Sequence, residues 1–201
     1  MFLKVDKIQN IEIRKAVLSD SRNISKLHLE TYHSDHFTSH FPMYLLEEYF
    51  KALIQNTDYS YVCYDTIENI LMGFVIAGEN TSRVVNQFTK SNSLRLLLVL
   101  LKNPTFIIEK IFDLYKRFLP QKVSQANLRV QVYVTNPNFQ RKGVGMSLMN
   151  KLEKELKQQG HKLYGLSVRK NNIEAIHFYE KNHFKVEYES KKSIYLIKYL
   201  I

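Results

Sequence analysis

Six residues between a strand and a helix carry the clearest chemistry in this sequence. Gln140-Arg-Lys-Gly-Val-Gly145 joins an alternating stretch that ends at Thr135 to a helical pattern that runs to Gln159. A helix start leaves backbone N–H groups without partners and carries partial positive charge, so it binds phosphate. Gly143 and Gly145 hold no side chain in the way of an anion, and Arg141 and Lys142 add cations beside them. A turn that uses glycine only for its geometry reads the same way, so the hexapeptide by itself leaves both meanings open. It matches neither GxxxxGK followed by Ser or Thr nor GxGxxG, which removes the main support for nucleoside-triphosphatase and dinucleotide chemistry. Farther on, Asn172 opens a helix and is a natural cap, while Tyr179 on that helix is either a proton donor or an inward core residue. His28, His33, His36 and His40 cluster in a loop-like stretch whose spacing implies no metal site, and Glu79 closes a strand.

The elements that must position these groups alternate along 201 residues, a length that buries a full core without disulfide or metal. Ile11–Val17 alternates as a strand, and Ser19-Asp20 caps a helix with Ile24, Leu27 and His28 on one face. A second helix covers about 43–55, and strands 59–64 and 71–77 form a hairpin. After residues 81–120 come strand 128–135, helix 143–159, strand 162–168, helix 172–181 and strands 184–190 and 193–200. Val144, Leu148, Leu152 and Leu156 stand four apart on the long helix. The order predicts one α/β (α+β) domain over residues 1–201: a single mixed, mostly antiparallel sheet flanked by helices, with a helical insertion at about 81–120.

Composition narrows the class. Twenty-nine basic residues against nineteen acidic ones give +10, which favours anionic partners. The single cysteine, Cys63, fits a reducing compartment, the opening residues lack a signal-peptide pattern, and no apolar run approaches the ~20 residues of a spanning helix. The expectation is a cytoplasmic protein. Nucleic-acid binding is the weakest use of the charge, because no zinc motif, Gly-bracketed aromatic RNA motif or single basic helix accompanies it.

Gln140-x-x-Gly143-x-Gly145 after a strand and Pro137 resembles the acyl-CoA signature of the GNAT superfamily of N-acetyltransferases. Leu166–Phe184, with Asn172, Ala175 and Tyr179, is similar to that superfamily's later strand-to-helix block. Ile13-Arg-Lys-Ala-x-x-x-Asp20 resembles its first strand and cap, and His28–Tyr49 its aromatic opening helices. The resemblance implies acetyl-CoA lying in a split between strands 128–135 and 162–168. The backbone of Tyr133, Val134 and Thr135 would pair with the pantetheine arm, and the N–H groups of Arg141, Lys142, Gly143, Val144, Gly145 and Met146 would hold the pyrophosphate, with Gln140 opening the cofactor-binding turn. Asn172 matches a cofactor-contacting position, and Tyr179 the acid that protonates the leaving thiolate. No metal is implied.

The sequence departs from the superfamily at two places. No carboxylate stands at the positions some members use for a general base: Leu166 and Ser167 occupy one, and Arg129, Gln131 and Tyr133 line the other. Glu79 and the four histidines are candidates, and the base stays unassigned. His183 stands where glycine precedes the conserved-type Phe184, and histidine tolerates φ > 0 better than most residues. The function implied is transfer of an acetyl group from acetyl-CoA to a primary amine in a ternary complex; a non-catalytic acyl-CoA-binding module is the rival. The insertion, with apolar stretches 94–102 and 106–119 around Asn103-Pro104 and cations at Arg95, Lys102, Lys110, Lys116 and Arg117, reads as a lid, a homodimer surface, a patch on an anionic membrane through 94–119, or plain packing.

Overall fold

A computed structural model describes residues 10–32, 36–104, 106–107 and 124–200. Among these, seven strands form one sheet in the order β1-β2-β3-β4-β5-β7-β6. The strands are β1 (Ile11–Lys15), β2 (Tyr59–Asp65), β3 (Leu71–Gly78), β4 (Arg129–Thr135), β5 (Leu163–Arg169), β6 (Lys185–Glu189) and β7 (Ser193–Tyr199). Every neighbouring pair is antiparallel except β4 and β5. The mixed, mostly antiparallel sheet expected from the element order is the one that forms.

Helices cover the sheet on both faces because each carries one apolar stripe. On one face lie α1 (Ser21–Thr31) and α2 (Met43–Asn56), whose Ile24, Leu27, Leu45, Leu46, Phe50 and Leu53 are buried against β2, β3 and β4. On the other lies α5 (Val144–Gln158), where Val144, Leu148, Leu152 and Leu156 are essentially inaccessible. By area alone each such leucine contributes about 2 kcal/mol. The smaller α6 (Ile173–Lys181) buries Tyr179 on that same side. Gly73 is what lets α5 sit so close: a Cβ there would lie 2.7 Å from the Val134 carbonyl oxygen and 3.1 Å from Leu148.

Between β3 and β4 the chain forms α3 (Thr81–Ser91) and α4 (Ser93–Lys102), and Pro104 and 106–107 are again helical. The spacing reads a helix only from Leu94, and α3 is additional. Its sequence is polar and rich in β-branched residues, with only Val84 and Phe88, four apart, reaching the core. The expected helix 106–119 lies outside the described residues from 108 onward, together with His33, Lys110, Lys116 and Arg117.

A buried charge cluster fixes where α1 starts. Asp20 accepts from Arg14 through both oxygens (2.7 and 2.8 Å), from the Val17 N–H (2.8 Å) and from the Tyr64 hydroxyl (3.1 Å). Burial pushes this carboxyl up, but the Arg14 hydrogen bonds and the Val17 N–H outweigh it and hold it below its ordinary 3.8. Its contribution is therefore present at neutral pH and lost as pH falls through that depressed value. Asp20→Asn leaves the arginine without its counter-charge, and because Arg14 is partly open to water the cost is about 2 kcal/mol. Thermal unfolding should show the variant less stable at neutral pH, with the gap to the wild type closing in acid.

Candidate active site

The sheet is torn where its one parallel pair should run. β4 and β5 pair only at Arg129 and Gly165, with the Gly165 N–H donating to the Leu128 carbonyl at 2.9 Å. On its other edge β4 is laddered to β3, Tyr133 opposite Val75 and Thr135 opposite Gly73. Among the described residues no strand pairs with Tyr133, Val134 or Thr135 on the β5 side. The Asn136 N–H donates to the Met72 carbonyl, so by alternation Val134 bonds to β3 and the backbone groups of Tyr133 and Thr135 line a wedge. Arg129 closes the narrow end. Its guanidinium donates to the Leu166 carbonyl (2.7 Å) and the Ser124 hydroxyl (2.6 Å), lies 3.8 Å from Glu187 and stacks over Tyr195. The arginine thus reaches from β4 across β5 to the ring of Tyr195 on β7 and bridges the two parting strands.

The glycine turn stands at the wide end of this wedge. Asn136 caps a 3-10 turn (Pro137–Phe139) by accepting from the Asn138 N–H, and the chain then passes Arg141 at φ +59° and Gly143 at φ +89°. Two left-handed residues so close together bend consecutive N–H groups toward one concavity. A Cβ at Gly143 would meet nothing within 4 Å, so the outer side of the turn is open to a ligand. Val144, Gly145 and Met146 form the first turn of α5, whose N–H groups have no intrahelical acceptor. The Tyr133 hydroxyl donates to the Gly145 carbonyl, tying this first turn to β4. Lys142 sits over the Phe139 ring, and Arg141 pairs with Glu174 at 3.0 Å, which brings the turn beside the start of α6. There Asn172 caps the helix, accepting from the Ala175 N–H at 3.1 Å. A phosphate-bearing thioester fits this arrangement: an open anion cradle at one end and an unpaired strand edge leading inward from it.

Tyr179 packs inside the wedge against Tyr133, Phe178 and Phe184, with ring centroids 5.2–6.3 Å away. Burial, and then the neighbouring Tyr32 phenol, pushes its proton loss well above the ordinary 10.0. Tyr133 is raised in the same way by burial and by Tyr179. On the α1–α2 side, burial and then Tyr49 push Tyr32 up to about 12, and burial pushes Tyr49 to about 12 against a hydrogen bond from Gln131 that pulls it down. Gln131 reaches Tyr49 because β4 carries a bulge: Ile76 pairs with Val132 but Ala77 with Val130, leaving Gln131 as the extra residue. Along the series Tyr49, Tyr32, Tyr179, Tyr133 each phenol thus makes the next harder to ionise. Tyr32 and Gln131 are the residues that sequence reasoning passed over; Tyr32 lies four after His28, on the face already marked as inward, while the bulge leaves no mark in the sequence.

The candidates for a base fall in different places. His28 is buried, stacks on Tyr32 at 4.3 Å and touches the Thr38 hydroxyl through Nε2 at 2.9 Å. Burial and then His36 push it down to about 3, so it stays a neutral packing group. His36 sits edge-on to Tyr32, and His40 edge-on to Phe106. Glu79 lies away from the phenols, 3.8 Å from His161, whose other nitrogen contacts the Tyr59 hydroxyl. No group of three or more metal-ligating side chains occurs among the described residues. His183 adopts φ +66°.

Known proteins share this architecture. PaiA N-acetyltransferase from Thermoplasma acidophilum, solved with coenzyme A, superposes with a TM-score of 0.62 at 17% identity, covering 94% of this chain and 98% of its own. An N-acetyltransferase from Staphylococcus aureus Mu50 gives 0.61 at 13%, covering 96% and 100%. Drosophila melanogaster polyamine N-acetyltransferase gives 0.59 at 13%, covering 94% and 100%. At such identities the likeness shows the fold. No curated protein matches the chain. Residues 24–184 match the profile of the acetyltransferase (GNAT) family, a span that takes in most of α1, all of α2, strands β2 to β5 with the wedge, the glycine turn and Tyr179, and the chain belongs to that family.

Proposed function

We propose that the protein transfers an acetyl group from acetyl-CoA to a primary amine by direct attack in a ternary complex. The observation that carries this reading is the wedge between β4 and β5, which opens an unpaired strand edge directly below an anion cradle and beside a buried phenol. Backbone N–H groups from Arg141 to Met146 hold the pyrophosphate, with the Arg141 and Lys142 charges beside them and Gln140 at the start of the turn. Tyr133, Val134 and Thr135 receive the pantetheine arm as an added strand. Asn172, at the edge of the cradle, contacts the cofactor from α6.

Tyr179 acts as the acid. When the amine nitrogen bonds the acetyl carbon and the carbon–sulfur bond breaks, the phenol gives its proton to the departing sulfur, and the surplus proton on the acylated nitrogen passes through water to restore the phenol. Burial suits it to that task by keeping the hydroxyl protonated at any pH where the amine is neutral enough to attack. The amine approaches from the α1–α2 side, past Tyr32, Tyr49 and Gln131. Family membership and the amine-acetylating proteins of the same fold support an amine as acceptor.

Gly143→Val puts a branched side chain on a left-handed backbone and into the path of the anion. Affinity for acetyl-CoA, measured by titration calorimetry, should fall tenfold or more, about 1.4 kcal/mol. Gly143→Asn separates obstruction from strain, since asparagine tolerates this backbone. It should unfold at nearly the wild-type temperature and still bind more weakly; unchanged binding by both folded variants would remove the cradle.

Tyr179→Phe keeps the ring and deletes the proton. Turnover should drop roughly 100-fold while the KM for acetyl-CoA holds. In the wild type, kcat should go on rising with pH toward about 10 as the amine loses its proton, because the Tyr179 phenol does not titrate below that value. Full turnover by the phenylalanine variant would leave Tyr179 a packing residue.

A further inference from the structure

α4 turns an apolar face to water. Leu94, Leu97, Leu98 and Leu101 are 78, 50, 61 and 61% exposed, whereas Leu96 and Val99 are buried in the core. At about 100° per residue the exposed leucines occupy an arc of roughly 100°, and Arg95 and Lys102 fall side by side along one border of it. Four large apolar side chains in one stripe are more than an isolated surface contact requires, and such stripes mark places where a protein meets an apolar phase.

Charge says which phase. Residues 80–108 contain Arg83, Lys90, Arg95 and Lys102 and no aspartate or glutamate. Among the described residues the acid in contact with α4 is Glu48 of α2, which accepts from Arg95 at 2.9 and 3.1 Å; Asn92 accepts from the same nitrogen at 3.2 Å. Along the cationic border a cavity of about 320 Å³ opens, lined among others by His40, Tyr44, Arg95, Leu98, Lys102 and Asn103. Its lining joins apolar Phe41, Leu98 and Val99 to the cations Arg95 and Lys102, and Tyr44, 5.7 Å from the Arg95 guanidinium, is itself half-exposed. That combination fits an amphiphile with an anionic head. Ten residues are too few to span a bilayer, and no described helix is long and apolar enough to cross one, so α4 lies along a surface.

We infer that α4 docks the protein on an anionic phospholipid surface, its four leucines entering the acyl boundary and the Arg95–Lys102 cavity taking a headgroup phosphate. Cations beside a leucine stripe are the pairing that interfacial helices use, since electrostatic attraction adds to burial of the apolar face. This goes beyond the acetyl transfer and rests on none of its residues.

The test uses the full chain in co-sedimentation with phosphatidylcholine vesicles, with and without phosphatidylglycerol. The wild type should bind the phosphatidylglycerol vesicles and not the others. The triple variant Leu94→Ser, Leu98→Ser, Leu101→Ser and the double variant Lys90→Glu, Lys102→Glu should each bind at least tenfold more weakly. Wild-type binding should also weaken as salt shortens the screening length from about 10 Å at 0.1 M to about 3 Å at 1 M. The leucine variant should unfold at the wild-type temperature, because its side chains already face water. Absence of wild-type binding, or binding that both variants retain, overturns the proposal. So does a lowered unfolding temperature in the leucine variant, which would place the stripe under another part of this chain. A wild-type dimer in analytical ultracentrifugation that the leucine variant turns into monomer, without vesicle binding, would give the stripe to a second copy.

Discussion

A parallel strand pair that begins and then fails is the constraint on which the rest of this molecule depends. β4 is held on one edge by a ladder to β3 that is broken only at the Gln131 bulge, and on the other by one residue pair at Arg129 and Gly165. Unpaired backbone in a protein interior is costly, so a sheet tears only where something replaces the lost hydrogen bonds. At the narrow end Arg129 bridges the parting strands from β4 to the Leu166 carbonyl, and it is itself held by Ser124, Tyr195 and the buried carboxylate of Glu187. At the wide end the edge stays bare, which is what an extended ligand needs. In the function proposed above, the same carbonyls and N–H groups that would weaken a plain sheet serve as the recognition surface for the cofactor arm.

The electrostatics of the wedge follow from its burial. Phenols placed there can only become harder to ionise, and Tyr133 and Tyr179 are both raised well above their ordinary range. Histidine responds in the opposite sense, and His28 is driven down to about 3. One environment therefore leaves the site with hydroxyl protons to give and a neutral imidazole that does not take them. Formal charge is kept at the rim, on Arg141 and Lys142, where water still reaches it.

Legibility in the sequence tracks how local each cause is. The four-residue spacing from Val144 to Leu156 and the glycine turn ahead of it are written in contiguous residues, and both elements stand within a residue or two of their expected bounds. The strands around the wedge are equally plain. What could not be read depends on partners far away in the chain. α3 is polar in sequence and takes its helical register from Val84 and Phe88 meeting the core. The bulge that turns Gln131 toward Tyr49 exists only in relation to β3. Arg129 looks like a charged residue in a strand until Leu166, 37 positions on, supplies its acceptor. Tyr32 falls in a stretch whose histidines drew attention away from the phenol between them.

Backbone conformation points to the same place by a separate route. Among the described residues three non-glycines have left-handed backbone: Asn69, Arg141 and His183. Asparagine and histidine are residue types that enter this region readily; arginine is not, and holding it there costs on the order of 1 kcal/mol. Nothing nearby offsets that cost by much. The Arg141–Glu174 pair is exposed on both sides, 87 and 72%, and such pairs contribute little in water. Replacing Arg141 with glycine or asparagine would relieve the backbone without disturbing any buried contact. The unfavourable φ therefore has no structural dividend within the described chain, and its consequence is directional: with Gly143 it bends the N–H groups ahead of α5 into a concavity and carries a guanidinium to its lip. Backbone strain sits where an anion would recover it, in the turn between the torn edge of β4 and the first turn of α5.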